Sequence, residues 1–230
     1  MEFAIPILIF LLVAAIIITI AVTASIMERK RKAALAEFAS RWGLSFRPER
    51  DYELAKAFRW LDALARGSNR YAYHIMSGAW QNHEILLFDY HYQVTTSNGK
   101  TTRTSHYHMS VFALTLPVAF PELRIVPENL GSKIAQAFGW EDIDFESAEF
   151  SRKFVVRSKD RKFAYDVCHP RMMEFLLAHP NLQVEIEGQV LATWSAGRLQ
   201  PEGIGQCLDR SVALRKLMPD YLFAESGTHA

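Results

Sequence analysis

Two cysteines, Cys168 and Cys207, are all that 230 residues contain. Their spacing fits no metal-binding pair and no disulfide framework, so they read as small buried hydrophobes of a reducing compartment. Catalytic signatures are equally scarce. There is no phosphate loop ending in G-K-[ST], no G-x-S-x-G, no H-E-x-x-H and no dinucleotide glycine pattern, which argues against the common nucleotide-dependent and hydrolytic classes. No internal repeat and no long linker divides the chain, so it reads as one unit. Charge, too, is missing from one place: Phe3 to Met27, 25 residues, carry none.

That run reads F-A-I-P-I-L-I-F-L-L-V-A-A-I-I-I-T-I-A-V-T-A-S-I-M. At about 1.5 Å per residue it reaches roughly 37 Å as a helix, longer than the hydrocarbon core of about 30 Å. Pro6 falls in the first turn, where its missing N–H costs little. Val22-Thr23-Ala24 resembles a cleavage site, but a signal peptide starts with a basic region, and only Glu2 precedes this run. Residues 3–27 are therefore expected to be a retained transmembrane anchor. Behind them comes the collar Glu28-Arg29-Lys30-Arg31-Lys32. By the positive-inside rule Arg29, Lys30, Arg31 and Lys32 set the topology of a single-pass inner (plasma) membrane protein, with the N-terminus outside and everything from residue 33 cytoplasmic. The bilayer is its first partner, through the collar and anionic headgroups. The collar holds four of the 26 basic residues, and Glu2 and Glu28 are two of the 25 acidic ones, which leaves 22 basic against 23 acidic residues in the domain. A near-neutral surface of mixed sign argues against nucleic acid.

Past the collar, Leu35, Phe38, Ala39 and Trp42 recur at helical spacing and Gly43 stops them. Asp51 caps a second helical pattern carrying Leu54, Phe58, Leu61 and Leu64 up to Gly67. The period then changes to two. Tyr71–Met76, Ile85–Thr95 and Thr102–Leu116 read as an antiparallel meander, with turns at Gly78 and Asn98-Gly99. Pro117, Pro121 and Pro127 punctuate an edge strand or extended connection. G-S-K-I-A-Q-A-F-G reads as a short helix. From Trp140 the pattern gives a strand S-R-K-F-V-V-R-S, helices begun by Asp160 and Pro170, a hairpin turning at Glu187-Gly188, and a last helix carrying Leu208, Val212 and Leu217. The predicted fold class is thus α+β: a β-meander with packed helices over about 33–139, a β-α-β-β-α part over 140–218, and a flexible tail at 219–230.

F-D-Y-x-Y in one strand, P-E-x-x-x-x-P-E later, and D-F-x-x-x-E-F-S-R-K-F-V-V-x-S-x-D with an alanine four residues on together resemble a family of uncharacterised bacterial membrane-anchored proteins that carry a domain of unknown function. The resemblance spans about Trp42 to Leu217 and is most specific over Asp144–Ala164. It implies one or two N-terminal spans ahead of such a domain and assigns no activity.

The one concentration of metal-ligand residue types is in that meander. If Asn98-Gly99 is a two-residue turn, Asp89 faces His108 and His91 faces His106, and alternation puts all four on one face. Cβ separations of about 4.5–5.5 Å would let three imidazoles and a carboxylate hold zinc or a similar ion. The same four residues also fit the wetter face of an ordinary half-exposed sheet, with Phe88, Tyr90, Tyr92, Tyr107 and Met109 packing on the helices. Glu141, Asp142, Asp144 and Glu146 lack the glycine and distal glutamate of a calcium loop. Glu185 and Glu187 alternate on one strand, an acid–base pair in principle. Five tryptophans are spread across the elements, as a large core needs. The functional expectation is a membrane-tethered binding or scaffolding module with a membrane-associated protein partner and no cofactor, its catalytic residues, if any, left unassigned. The alternative is a zinc-type enzyme or metal-binding domain on Asp89, His91, His106 and His108.

Overall fold

The apolar run, the collar and the amphipathic stretch behind them form a single helix, α1 (Ala4–Arg41), in a computed structural model that describes residues 4–129 and 142–225. From Ile9 on, its apolar stretch has no buried residue, and the helix is long and apolar enough to cross a membrane. Within one turn past the collar the environment inverts: Leu35 is buried, and so is Ala39 a turn further on. The helix stops in a Schellman motif: Leu44 N–H donates to Ala39 O (2.8 Å) and Gly43 N–H to Ser40 O (3.3 Å). Gly43 at φ 65° supplies the left-handed residue that this closure requires.

Among the described residues six antiparallel strands follow the helix: β1 (Ser45–Arg47), β2 (Ser68–Trp80), β3 (His83–Ser97), β4 (Thr102–Pro127), β5 (Phe154–Ser158) and β6 (Gln183–Ala196). The order is β1-β2-β3-β4-β5, with β6 along the other edge of β4. The helices between them are α2 (Tyr52–Ala57), α3 (Asp62–Ala65), α4 (Ala148–Lys153), α5 (Arg161–Val167), α6 (Pro170–Ala178), α7 (Pro201–Leu217) and α8 (Tyr221–Glu225). One sheet face, with Leu87, Leu114, Ile125 and Ile186, buries α1 and α5–α7 through Leu35, Phe163, Met172 and Leu208. The other carries Phe88, Tyr90, Val111 and Trp194 against Phe58, Leu61 and Leu64 of the α2–α3 segment. The fold is α+β, as the periodicity predicts.

Several boundaries differ from expectation, each for a local reason. Gly78 does not turn the chain. The turn is Gln81-Asn82, both at positive φ (47° and 65°), between paired Trp80 and His83. The helical pattern after Asp51 breaks into two pieces around Phe58–Leu61, although Asp51 caps the first as expected, accepting from Leu54 N–H at 2.8 Å. The segment with three prolines is no separate strand but the continuation of β4, with one edge unpaired over part of its length. Pro117 and Pro121 lie between Leu114, where pairing with β3 ends, and Leu123, where pairing with β5 begins. A missing N–H is tolerated on an edge with no neighbour. Glu187-Gly188 is likewise no hairpin, because β6 runs straight through, with Gly188 at φ 55° beside the β4 irregularity. Residues 148–153 are helical, Ser147 capping Phe150 N–H at 3.3 Å, so the strand starts only at Phe154. The expected frayed tail holds α8, whose Leu222 is buried. The helix expected at G-S-K-I-A-Q-A-F-G lies outside the described residues.

Candidate functional site

One tightly constrained polar group belongs to the collar. Extending the Leu35–Phe38–Trp42 stripe of α1 back by one turn lands on Arg31, which therefore faces the sheet. Its Nη2 donates to Asp89 Oδ2 at 2.9 Å, and its Nη1 to Leu199 O at 2.9 Å. The Asp89 side chain has no exposure, and that of Arg31 only 11%. The second Asp89 oxygen accepts from Leu199 N–H at 2.6 Å. His74 Nδ1 lies 3.0 Å from both Arg31 Nη2 and Asp89 Oδ2, able to accept from the one or donate to the other. The backbone of His74 sits at φ 50°, at a register irregularity between Tyr73 and Met76. A non-glycine residue held there indicates that surrounding contacts impose the conformation. Three distant segments thus converge on one buried carboxylate. Glu28 completes the rim, taking Arg198 at 2.7 Å.

The four residues proposed as metal ligands share a face as expected, but the register differs. His91 pairs with His108, Gln93 with His106 and Asp89 with Ser110. Asn98 Oδ1 accepts from Lys100 N–H (3.1 Å) and Thr101 N–H (2.8 Å), which makes a four-residue loop between paired Ser97 and Thr102. A slip of two leaves face parity intact. The face grades from buried to wet: His91 is buried and His108 half-buried, while His106 is exposed. It belongs to the same side as the main core, and His91 is 4% exposed. His91 Nδ1 lies 3.1 Å from the Asn69 carbonyl and must donate to it, so Nε2 accepts from His106 Nδ1 at 3.0 Å. His108 Nδ1 lies 3.0 Å from the Tyr73 hydroxyl. Burial lowers the pKa of His91 and of His108, and each is further lowered by a neighbouring imidazole. The structure therefore brings the three imidazoles together, while Asp89 is committed to Arg31, His74 and the Leu199 amide. Both nitrogens of His91 are engaged within the chain.

Among the described residues, a group of metal-ligand side chains that converges, with oxygens within 4.8 Å of one another, is Glu122, Glu185 and Glu187 at the opposite end of β4 and β6. Burial pushes Glu185 up to about 8, against the pull of Arg124, whose Nε lies 3.0 Å from Oε1. Burial also takes Glu122 to about 7, with Glu187 adding to it. Arg124 contacts Glu122 as well. Glu185 and Glu187, paired only by alternation in the sequence, thus belong to an arginine-bridged cluster. Asp142 of the acidic turn is tied to Arg157 at 2.7 Å.

Beside the Arg31 node, α1 and the N-terminal half of α7 leave a groove. Its membrane-proximal part, about 540 Å³, is lined by Ala24, Met27, Lys30, Arg198 and Gln200. Its distal part, about 770 Å³, is lined by Phe38, Trp42, Trp80 and Gln206. Pro201 and Glu202 border both. Trp80 is buried, and its Nε1 donates to Asp209 at 2.8 Å. Trp42 packs on it with centroids 4.5 Å apart yet remains 52% exposed. A tryptophan that lies half out of the protein on a well-held partner has the chemistry of an interface anchor. Trp140 lies outside the described residues.

No family model matches the chain, and no curated protein matches it. Among solved structures, its fold is similar to that of the mycobacterial trehalose monomycolate transport factor A, TtfA. The TM-score is 0.57, over 83% of this chain and 97% of that one, at 14% identity. At that identity the likeness is one of fold.

Proposed function

We propose that this protein is a membrane-anchored accessory module that works by binding: it holds a rigid α+β surface against the bilayer and scaffolds a membrane-associated partner there. The observation that carries this reading is the absence of any hinge between anchor and domain. The helix that emerges from the apolar stretch is itself a core element, locked by Arg31 to Asp89 and by Leu35 and Ala39 to the main core. Such an arrangement fixes orientation as well as position, and so raises the effective concentration of the Trp42 face for partners in the same membrane. The similarity of fold to a protein named as a transport factor supports an accessory role. The collar supports a cytoplasmic domain and an outside N-terminus.

The test is a photo-crosslinking residue placed at Trp42 and expressed in intact cells. A discrete adduct, lost when the residue is moved to exposed Tyr165, is expected; membranes that yield none would remove the scaffold role. Orientation is checked separately by fusing a periplasm-active phosphatase after Ala230. It should stay inactive.

A further inference from the structure

The anchor enters the membrane at one end of α1, and that end can be located on the sheet. Arg31 touches His74, while Phe38 and Trp42 pack on Trp80, with centroids 6.2 and 4.5 Å away. Eleven residues of α1, about 16 Å, thus run alongside six residues of β2, about 20 Å, in the same direction. Going back along β2 from Trp80 to Ser68 is therefore going toward the bilayer. β3 runs antiparallel to β2, and so it heads toward the bilayer from His83 to Ser97. It passes Arg31 at Asp89 and continues for eight residues, about 26 Å. From Arg31 to Met27, the last residue of the apolar run, is only four helical residues, about 6 Å. Even a 45° divergence between strand and helix leaves the hairpin reaching about 18 Å toward the membrane past Arg31, well beyond the collar.

We propose that the tip of the β3–β4 hairpin, Val94–Ser105, is a second membrane contact that lies in the headgroup layer and favours anionic phospholipid. This inference rests on the anchor reading. Beyond Gln93 the hairpin has no β2 beside it, so the tip is a two-stranded arm. Its residues are Thr, Ser, Asn, Gly, Lys and Arg around one valine, all of them exposed except Val94 and Ser105. That composition suits headgroups and is excluded from hydrocarbon. α1 must then tilt until the arm lies along the surface, which 25 apolar residues allow. The charge has the matching sign. From Tyr90 to Pro121 the chain has no carboxylate, and neither Lys100 nor Arg103 has an ion-pair partner among the described residues. Exposed Arg29, Lys30 and Lys32 of the collar form the other half of the same basic footprint.

The full chain, with Cys207→Ser to remove the accessible thiol, is reconstituted in nanodiscs of phosphatidylcholine with and without phosphatidylglycerol. A fluorophore is attached at Asn98→Cys, and quenching is read with headgroup-nitroxide lipid. Labels at Ala15→Cys, Lys32→Cys and Lys159→Cys mark the bilayer interior, the collar and the distant end of the sheet. Asn98 should lose fluorescence as Lys32 does and not as Lys159 does. Lys100→Glu with Arg103→Glu should restore it in the anionic bilayer. If Ala15 is quenched by acyl-chain nitroxide but Asn98 behaves like Lys159, the arm stands in water and the inference is wrong while the anchor survives. If Ala15 is not quenched either, the anchor reading fails with it. Quenching indifferent to charge reversal overturns the anionic preference.

Discussion

Replacing Arg31 by methionine keeps the aliphatic stem of the side chain and removes its charge. Asp89 would then be a carboxylate with no exposure, left with the Leu199 amide and His74 for partners. Removing one member of a buried ion pair costs about 3–5 kcal/mol, because the remaining charge is neither solvated nor balanced. For a chain of this size each kcal/mol moves the melting temperature by about 2–4 °C, so a fall on the order of 10 °C is expected. The control is Lys30→Met, an exposed neighbour with no ion pair among the described residues, for which the expected change is below about 0.5 kcal/mol. Asp89→Asn on top of Arg31→Met takes away the orphaned charge while keeping an acceptor for Leu199 N–H, and it should recover most of the loss. The cycle closed by the Asp89→Asn single variant then yields a coupling of about 2 kcal/mol or more. Melting is followed by tryptophan fluorescence of the full chain in detergent. An Arg31→Met shift no larger than that of Lys30→Met would refute the reasoning, since it would make the pair an ordinary surface bridge.

Glu185 binds its proton more tightly when folded than when unfolded, so its carboxyl opposes folding increasingly as pH rises from its ordinary range through about 8. The domain should lose a few kcal/mol between about pH 5 and pH 8.5, and Glu185→Gln should flatten that slope; urea midpoints at the two pH values decide, and an unchanged slope in the variant would count against the burial argument. Zinc titration of the full chain should give no stoichiometric uptake, because Asp89 is already neutralised and both His91 nitrogens are bonded; tight binding lost in His106→Ala would contradict this. Gly67 sits at φ 67°, and a Cβ there would fall against the Gln93 carbonyl oxygen and within 2.9 Å of the Tyr92 ring. Gly67→Ala should therefore destabilise by about 2 kcal/mol or more, measured by urea unfolding, whereas Gly99→Ala, with nothing near, should cost clearly less.

Local rules made much of the fold readable. The uncharged run, the caps at Asp51 and Asp160, Pro170 at a helix start and the change of period after Gly67 each act over a few residues. They also placed the four hairpin residues on one face, because alternation survives any even slip. What they could not supply was pairing. Asn98-Gly99 reads as a two-residue turn until the Asn98 side chain takes the Lys100 and Thr101 amides, and that competition between side chain and backbone shifts every partner by two. Three prolines read as punctuation, because nothing local reveals that one edge of β4 is vacant over that stretch. The polar node was hardest of all. Arg31 and Asp89 lie 58 residues apart, and the collar has a sufficient explanation in topology. Only the helical phase of Arg31 with Leu35, Phe38 and Trp42 separates it from Arg29, Lys30 and Lys32.

That difference in phase is what turns an anchor into part of a machine. A chain that needed only retention at a membrane would be served by a flexible linker after Met27, and its domain would sample all orientations above the bilayer. Here two helical turns lead from lipid to Leu35, and the first of them carries a charge that the sheet buries. Any change in the tilt of α1 within the membrane must move the sheet with it or break the Arg31–Asp89 contact, and breaking that contact is expensive. On the scaffold reading, the Trp42 face, three turns further along the same helix, would report the orientation of the membrane segment to a partner docked on it. Partners that sense or set helix tilt would be coupled to this domain through a rigid rod, with no separate signalling element required.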